Sequence, residues 1–132
     1  MIHNLFIRTI CTALLLASAG CRQLDEEGLQ TEVTIRLVMP DSRPVTCLEI
    51  RDETSGFYNI NTYERTAFPT PDANTATVRL RRGVYTFTVE AEATYDDGTT
   101  CLLRCADYNQ ITQAITWVRE QESIVLLLKS VN

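Results

Sequence analysis

Hydrophobic and polar residues alternate one by one over much of the chain, which is the period of a β-strand with one buried side. The clearest case is the segment from Val84 to Tyr95, where aromatic, valine and alanine residues from Tyr85 onward alternate with threonine and glutamate. Such a strand has one face in the core and one in water. A second alternating segment places four apolar residues on one face: Val33, Ile35, Leu37 and Met39.

Turn signals divide the rest of the chain into shorter strand candidates. Asp96-Asp97-Gly98 has the composition of a hairpin turn, because glycine adopts positive φ without strain. Further strand candidates are Val45–Asp52, Phe57–Tyr63, Thr75–Arg81, Thr100–Cys105, Ala114–Arg119 and Ser123–Val131, and the stretch from Ala106 to Ile115 has room for one short helical turn. This spacing predicts an all-β fold: a single antiparallel β-sandwich of about seven strands over residues 31–132.

The order of these elements is similar to that of a known module. Thr54 to Tyr58, Ala76 to Leu80, Gly83 to Val89 and a closing strand from Ile124 to Leu128 resemble the prealbumin-like and carboxypeptidase-regulatory-like sandwiches of surface lipoproteins. The resemblance implies a prealbumin-like topology, with an immunoglobulin-like one as the alternative. It implies no chemistry, since such folds carry many functions.

Residues 1–20 have the features of a cleaved secretory signal peptide. Arg8 makes the leader positive, and the apolar run from Thr9 to Ala17 is too short to span a ~30 Å hydrocarbon layer. The sequence Ser18-Ala19-Gly20 before Cys21 resembles the lipobox of bacterial lipoproteins, which implies that Cys21 becomes the acylated first residue. The alternative is an ordinary signal peptide that leaves Cys21 as a free thiol.

Residues 21–30 are predicted to form a lipidated, acidic tether. Its sequence from Arg22 to Glu27 resembles the export signal of Bacteroidota surface lipoproteins. The resemblance implies a cell-envelope protein, anchored in the outer membrane through acyl groups on Cys21 and exposed at the surface. The alternative is that Asp25, Glu26 and Glu27 are only a solvated linker.

Composition excludes several function classes. The net charge of the chain is −5, and an acidic protein lacks the basic patches that bind nucleic acid. The only histidine, His3, lies in the leader, so the mature domain has no imidazole for a catalytic triad or a His-containing zinc site. Glycosidase chemistry needs only two facing carboxylates, but a small domain with short loops leaves little room for a substrate cleft. We therefore predict no enzyme activity, no catalytic residue, no metal and no cofactor.

Three cysteines belong to the predicted domain. Cys101 and Cys105 on one extended strand would lie about 13 Å apart at ~3.3 Å per residue, and a disulfide spans at most ~7 Å between Cα atoms. Cys47 is then the only partner for a bridge with either of them. The alternative is three buried thiols that act as small hydrophobic residues.

Aromatic residues are concentrated between Phe57 and Phe68, together with asparagines. Exposed aromatic rings stack on sugars and peptides, and neighbouring amides can supply hydrogen bonds. The candidate ligand-binding residues are Tyr58, Tyr63 and Phe68, and burial in the core is their alternative role.

These observations predict a non-catalytic, lipid-anchored envelope protein that serves as a binding, adhesion or accessory module of a cell-surface assembly. Its expected partners are the membrane, through Cys21, and other envelope proteins or glycans. One alternative is a carbohydrate-binding or carbohydrate-processing surface protein that uses residues 57–74. The other is a structural periplasmic lipoprotein.

Overall fold

A computed structural model describes residues 28–131 of the chain, and residues 31–131 belong to one compact unit. The strands are β1 (Gln30–Val38), β2 (Val45–Ile50), β3 (Gly56–Asn59), β4 (Arg65–Thr66), β5 (Thr75–Arg81), β6 (Gly83–Tyr95), β7 (Thr100–Tyr108), β8 (Ile115–Trp117), β9 (Gln121–Leu127) and β10 (Lys129–Ser130). A 3₁₀ helix at Ile111–Gln113 confirms the short helical turn predicted between β7 and β8. The prediction of an all-β fold is confirmed.

The strands form two sheets. The smaller sheet has the order β5-β1-β9, and the larger has the order β10-β7-β6-β3-β4, with β2 and β8 also paired to β6. The long strand β6 is the centre of the larger sheet, because β2 and β3 follow one another along one of its edges and β7 and β8 along the other. The architecture is a β-sandwich.

One strand pair departs from the antiparallel pattern. Strands β1 and β9 are parallel, with the pairs running from Glu32 and Gln121 to Val38 and Leu127. Every pair whose register we describe in the larger sheet is antiparallel. Alternation alone reports which face of a strand is buried and says nothing of its direction.

The core lies between the sheets and follows the predicted alternation. On β1 every second residue is buried, including Val33, Ile35 and Leu37. The predicted inner face of β6 is buried as a whole, from Tyr85 to Tyr95. Phe57, Phe87 and Trp117 add an aromatic cluster with ring centroids 5.2–5.9 Å apart. Burial of each such side chain stabilises the fold by roughly 1.5–3 kcal/mol.

The sandwich has two ends that differ in their loops. We call the end where β1 begins the entry end. The turn between β8 and β9 lies there, since Glu32 N donates to Glu120 O over 3.0 Å. The turn between β3 and β4 lies there too, because Ile60 N donates to Val84 O, at the start of β6, over 3.0 Å.

The opposite end, which we call the far end, contains the loops 39–44, 69–74 and 96–99. Leu37 N donates to Asn74 O over 2.7 Å, which places the start of β5 beside the end of β1. Asp96 N donates to Pro44 O over 3.3 Å, which places the β6–β7 hairpin beside the start of β2. That hairpin turns at Gly98, whose φ is 85°, as its composition predicts.

Candidate functional site

The structure brings together two of the three predicted ligand-binding residues. Tyr58 and Tyr63 are 40% and 76% exposed, and their ring centroids lie 6.5 Å apart with the planes inclined by 50°. Phe68 is only 4% exposed and stacks on Phe57 at 5.4 Å. Phe68 is therefore a core residue, and the surface feature is a pair of inclined tyrosines near the entry end.

The side chain of Asn59 organises the turn that carries Tyr63. Asn59 is 1% exposed, and its Oδ1 accepts hydrogen bonds from the backbone N–H groups of Asn61 (2.9 Å) and Thr62 (3.1 Å). Its Nδ2 donates to the hydroxyl of Tyr85 over 3.0 Å. Tyr63 N donates to Asn59 O over 2.8 Å, and Tyr63 takes a left-handed φ of 63°. The predicted strand to Tyr63 consequently ends at Asn59.

The asparagines of this region serve the fold. Asn61 Oδ1 accepts from Val84 N over 3.1 Å, so it joins the turn to the start of β6. A Cβ atom on Gly83 would lie 3.0 Å from Asn59 Nδ2, which explains glycine at that position. Asn74 lies at the far end, beside Leu37. The carbohydrate hypothesis stays a prediction, and it now rests on two rings without the amides that were expected to accompany them.

A groove opens at the far end of the sandwich. It has a volume of about 490 Å³ and is lined by Met39, Val45, Thr46, Cys47, Leu48, Pro71, Ala73 and Asn74. Met39, Val45 and Leu48 are partly buried against the core and form its apolar floor. Within the described chain, β2 pairs only with β6, so the other edge of β2 is open beside this groove. No signal in the sequence indicated it.

The positions of the three cysteines contradict the predicted disulfide. Cys47, Cys101 and Cys105 are all free in the structure. Cys47 pairs with Thr94 of β6, whereas Cys101 pairs with Ala93 from the other edge of β6, so the two thiols lie on opposite faces of the sheet. Strands separated by a third strand are also roughly 9.5 Å apart, beyond the reach of a disulfide.

The alternative role of the cysteines, as small hydrophobic residues, fits two of the three. Cys105 is buried and Cys101 is partly buried, but Cys47 is exposed. Burial raises the pKa of the Cys105 thiol above its ordinary value. Because the thiolate is the reactive form, Cys105 is protected from oxidation and alkylation while Cys47 is accessible.

Two carboxylates of β6 on the outer face of the larger sheet are engaged in ion pairs. Glu90 is 7% exposed and lies 3.2 Å from the guanidinium of Arg104, and Glu92 lies 3.4 Å from Arg51. Ser55 Oγ donates to Glu90 O (3.0 Å) and accepts from Glu90 N–H (2.8 Å). These contacts hold the β2–β3 connection on β6 and give both carboxylates a structural role.

Residues 28–131 also lack two features that would indicate a function. No group of three or more histidine, cysteine, aspartate or glutamate side chains is arranged to hold a metal ion in this part of the chain. No helix there has the length and apolar character needed to cross a bilayer. The predicted signal peptide, Cys21 and the acidic cluster from Asp25 to Glu27 lie outside the described residues.

No protein-family model and no curated protein sequence matches the chain. Among solved structures, the chain is similar to the crystal structure of a DUF4876 family protein from Bacteroides thetaiotaomicron, with a TM-score of 0.59 and 13% sequence identity. The similarity covers 76% of this chain and only 23% of that protein. At this identity the comparison establishes a shared fold, found in a Bacteroides protein as one part of a longer chain.

Proposed function

We propose that the protein is a non-catalytic, lipid-anchored protein of the cell envelope whose sandwich serves as a binding, adhesion or accessory module. The anchor is Cys21, which follows the small residues Ser18, Ala19 and Gly20 after an apolar leader. An acylated cysteine with at least two chains gives stable membrane attachment, which one chain does not. Attachment therefore requires no span within the sandwich.

The observation that carries the binding role is the position of the groove. It opens at the far end, while the residues that follow Cys21 lead into β1 at the entry end. A protein anchored through Cys21 can therefore present an apolar concave surface and the open edge of β2 to a partner. Pockets with a few polar groups on an apolar floor, and free sheet edges, are common recognition surfaces.

Membrane fractionation with a substitution at Cys21 tests the anchor. We expect the natural chain in the membrane fraction, released by detergent and retained in high salt, and the Cys21→Ser variant in the soluble fraction. Cys47→Ser is the matched control, because it removes an exposed thiol outside the signal and should stay in the membrane. Release of the natural chain by salt alone would contradict the proposal.

Two further experiments address orientation and binding. Protease added to intact cells should degrade the domain if it faces outward, whereas protection until the outer membrane is permeabilised would identify the periplasmic alternative. A thiol-directed photocrosslinker on Cys47, which lines the groove, should give a defined crosslinked species. The Cys47→Ser variant should not, and a crosslink pattern unchanged by that variant would count against the groove.

A further inference from the structure

Exposed large apolar side chains occupy the loops of the entry half of the sandwich. Tyr63 is 76% exposed in the β3–β4 turn, and Val118 is 54% exposed in the β8–β9 turn. Ile111 is 76% exposed in the loop between β7 and β8, level with Tyr85 to Phe87 of β6. Single exposed apolar residues are ordinary on protein surfaces, so their shared location is the informative point.

The far-end loops have the opposite character. Within the described residues, none of the strongly exposed large apolar side chains lies in loops 39–44, 69–74 or 96–99. Four aspartates and one arginine stand there: Asp41, Asp72, Asp96, Asp97 and Arg43. Arg43 is 3.1 Å from Asp41, so three negative charges remain in excess.

The entry-end loops are balanced in charge. Their ionised side chains are Glu64, Arg82, Arg119 and Glu120, and the adjoining strand residues add Glu32, Arg81 and Glu122. The far-end loops are thus acidic and hold no strongly exposed large apolar side chain, although Leu127 at the end of β9, beside Val38, is 54% exposed. The loops of the entry half are nearly neutral and hold three such side chains. An anionic lipid surface repels the far-end loops more strongly than the entry-end loops.

The length of chain before the domain limits how far the entry end can lie from the bilayer. Ten residue steps separate Cys21 from Thr31, which span at most roughly 35 Å when fully extended. If Cys21 carries acyl groups, the start of β1 stays within that distance of the membrane. Because β1 begins at the entry end, this tether keeps the entry end within reach of the bilayer, whereas the far end can lie a further sandwich length away.

We infer that the entry end is a membrane-contact surface, in which Tyr63, Ile111 and Val118 enter the headgroup region of the bilayer and the far-end groove points outward. Tyrosine suits this location because its ring is apolar and its hydroxyl can reach water or headgroups. Isoleucine and valine gain from removal of their apolar surface from water. This inference rests on the proposed anchor at Cys21.

Spin labels on the lipidated full-length protein test the inference. Tyr63→Cys, Ile111→Cys and Val118→Cys are each made with Cys47→Ser, so that the exposed native thiol does not react. Ser42→Cys, in the far-end loop 39–44, is the matched control. The proteins are reconstituted in vesicles of phosphatidylethanolamine and phosphatidylglycerol, and power-saturation EPR compares collisions with oxygen and with a nickel chelate.

We expect the oxygen-to-nickel ratio to rise several-fold at positions 63, 111 and 118 and to stay at the value for water at position 42. Circular dichroism checks folding first, and positions 111 and 118 suffice if Tyr63→Cys does not fold. Values typical of water at all positions would overturn the inference. Protection at position 63 alone would also overturn it, since a glycan or protein at the tyrosine pair would then be indicated.

The same samples distinguish failure of this inference from failure of the proposed function. Intact mass shows whether Cys21 is acylated before any label is read. A protein without acyl groups refutes the anchor, and the membrane-contact surface with it. An acylated protein whose labels all contact water refutes only the membrane-contact surface.

Discussion

Replacement of Asn59 by alanine tests how the turn near the entry end is held. Asn59 is 1% exposed and makes three side-chain hydrogen bonds, to Asn61 N, Thr62 N and the Tyr85 hydroxyl. A buried hydrogen bond contributes about 0.5–1.5 kcal/mol, and an orphaned buried group costs about 1–3 kcal/mol. We therefore expect Asn59→Ala to lower the free energy of unfolding by about 3 kcal/mol. For a domain of this size that corresponds to a fall in Tm of roughly 12–24 °C.

Urea unfolding, followed by the fluorescence of the single tryptophan, measures this change. Trp117 is 2% exposed and stacks on Phe87, so its emission reports loss of the core. Two asparagines give a graded comparison. Asn61→Ala removes one hydrogen bond, to Val84 N, and should cost about 1 kcal/mol. Asn109→Ala, at an exposed position after β7, should change stability by less than about 0.5 kcal/mol.

The urea dependence of the unfolding free energy should be the same in all three variants, because the surface exposed on unfolding does not change. If Asn59→Ala and Asn109→Ala have the same stability, the hydrogen bonds of Asn59 do not hold the turn. A large loss at Asn61 with none at Asn59 would likewise refute the assignment.

Three further predictions concern the core and the larger sheet. Ser55→Ala should lower the free energy of unfolding by about 1–2 kcal/mol in the same urea assay, because Ser55 Oγ forms hydrogen bonds with both backbone groups of Glu90. A loss under about 0.5 kcal/mol would contradict that role. In thiol titration of the native protein, Cys47 should react first and Cys105 only after unfolding, and a disulfide-linked pair in the mass spectrum would refute the free-thiol geometry. Burial raises the pKa of the Tyr85 phenol in the folded protein. The stability that the neutral phenol contributes is therefore fully present below its ordinary pKa of about 10 and is lost as the pH rises through the raised pKa. Tyr85→Phe should therefore show a shallower alkaline loss of stability, and equal slopes in the two proteins would contradict this.

Much of the sandwich was predictable from the sequence because binary alternation and turn residues act locally. The inner faces of β1 and β6 were read from alternation, and the hairpin at Gly98 from its turn residues. The parallel pairing of β1 with β9 was not predictable, since alternation is the same in parallel and antiparallel strands. The partner of a strand is a long-range property of the fold.

The candidate site was less predictable, because the sequence gives the residue types of a loop but does not show which side chains point into the core and which into solvent. Phe68 has the same composition signal as Tyr63 but packs on Phe57. The asparagines near these rings were expected to offer amides to a ligand, but the amide of Asn59 closes a turn through three internal hydrogen bonds. The prediction of a disulfide was wrong because β6 lies between β2 and β7. It separates Cys47 from Cys101 and Cys105, which the spacing along the sequence had allowed as partners.

Intact-mass spectrometry of the protein purified from cell membranes tests the central claim most directly. The account predicts a mature chain that begins at Cys21 and carries the added mass of lipid acyl chains on that residue. A chain that begins elsewhere, or one whose Cys21 is an unmodified thiol, would contradict it.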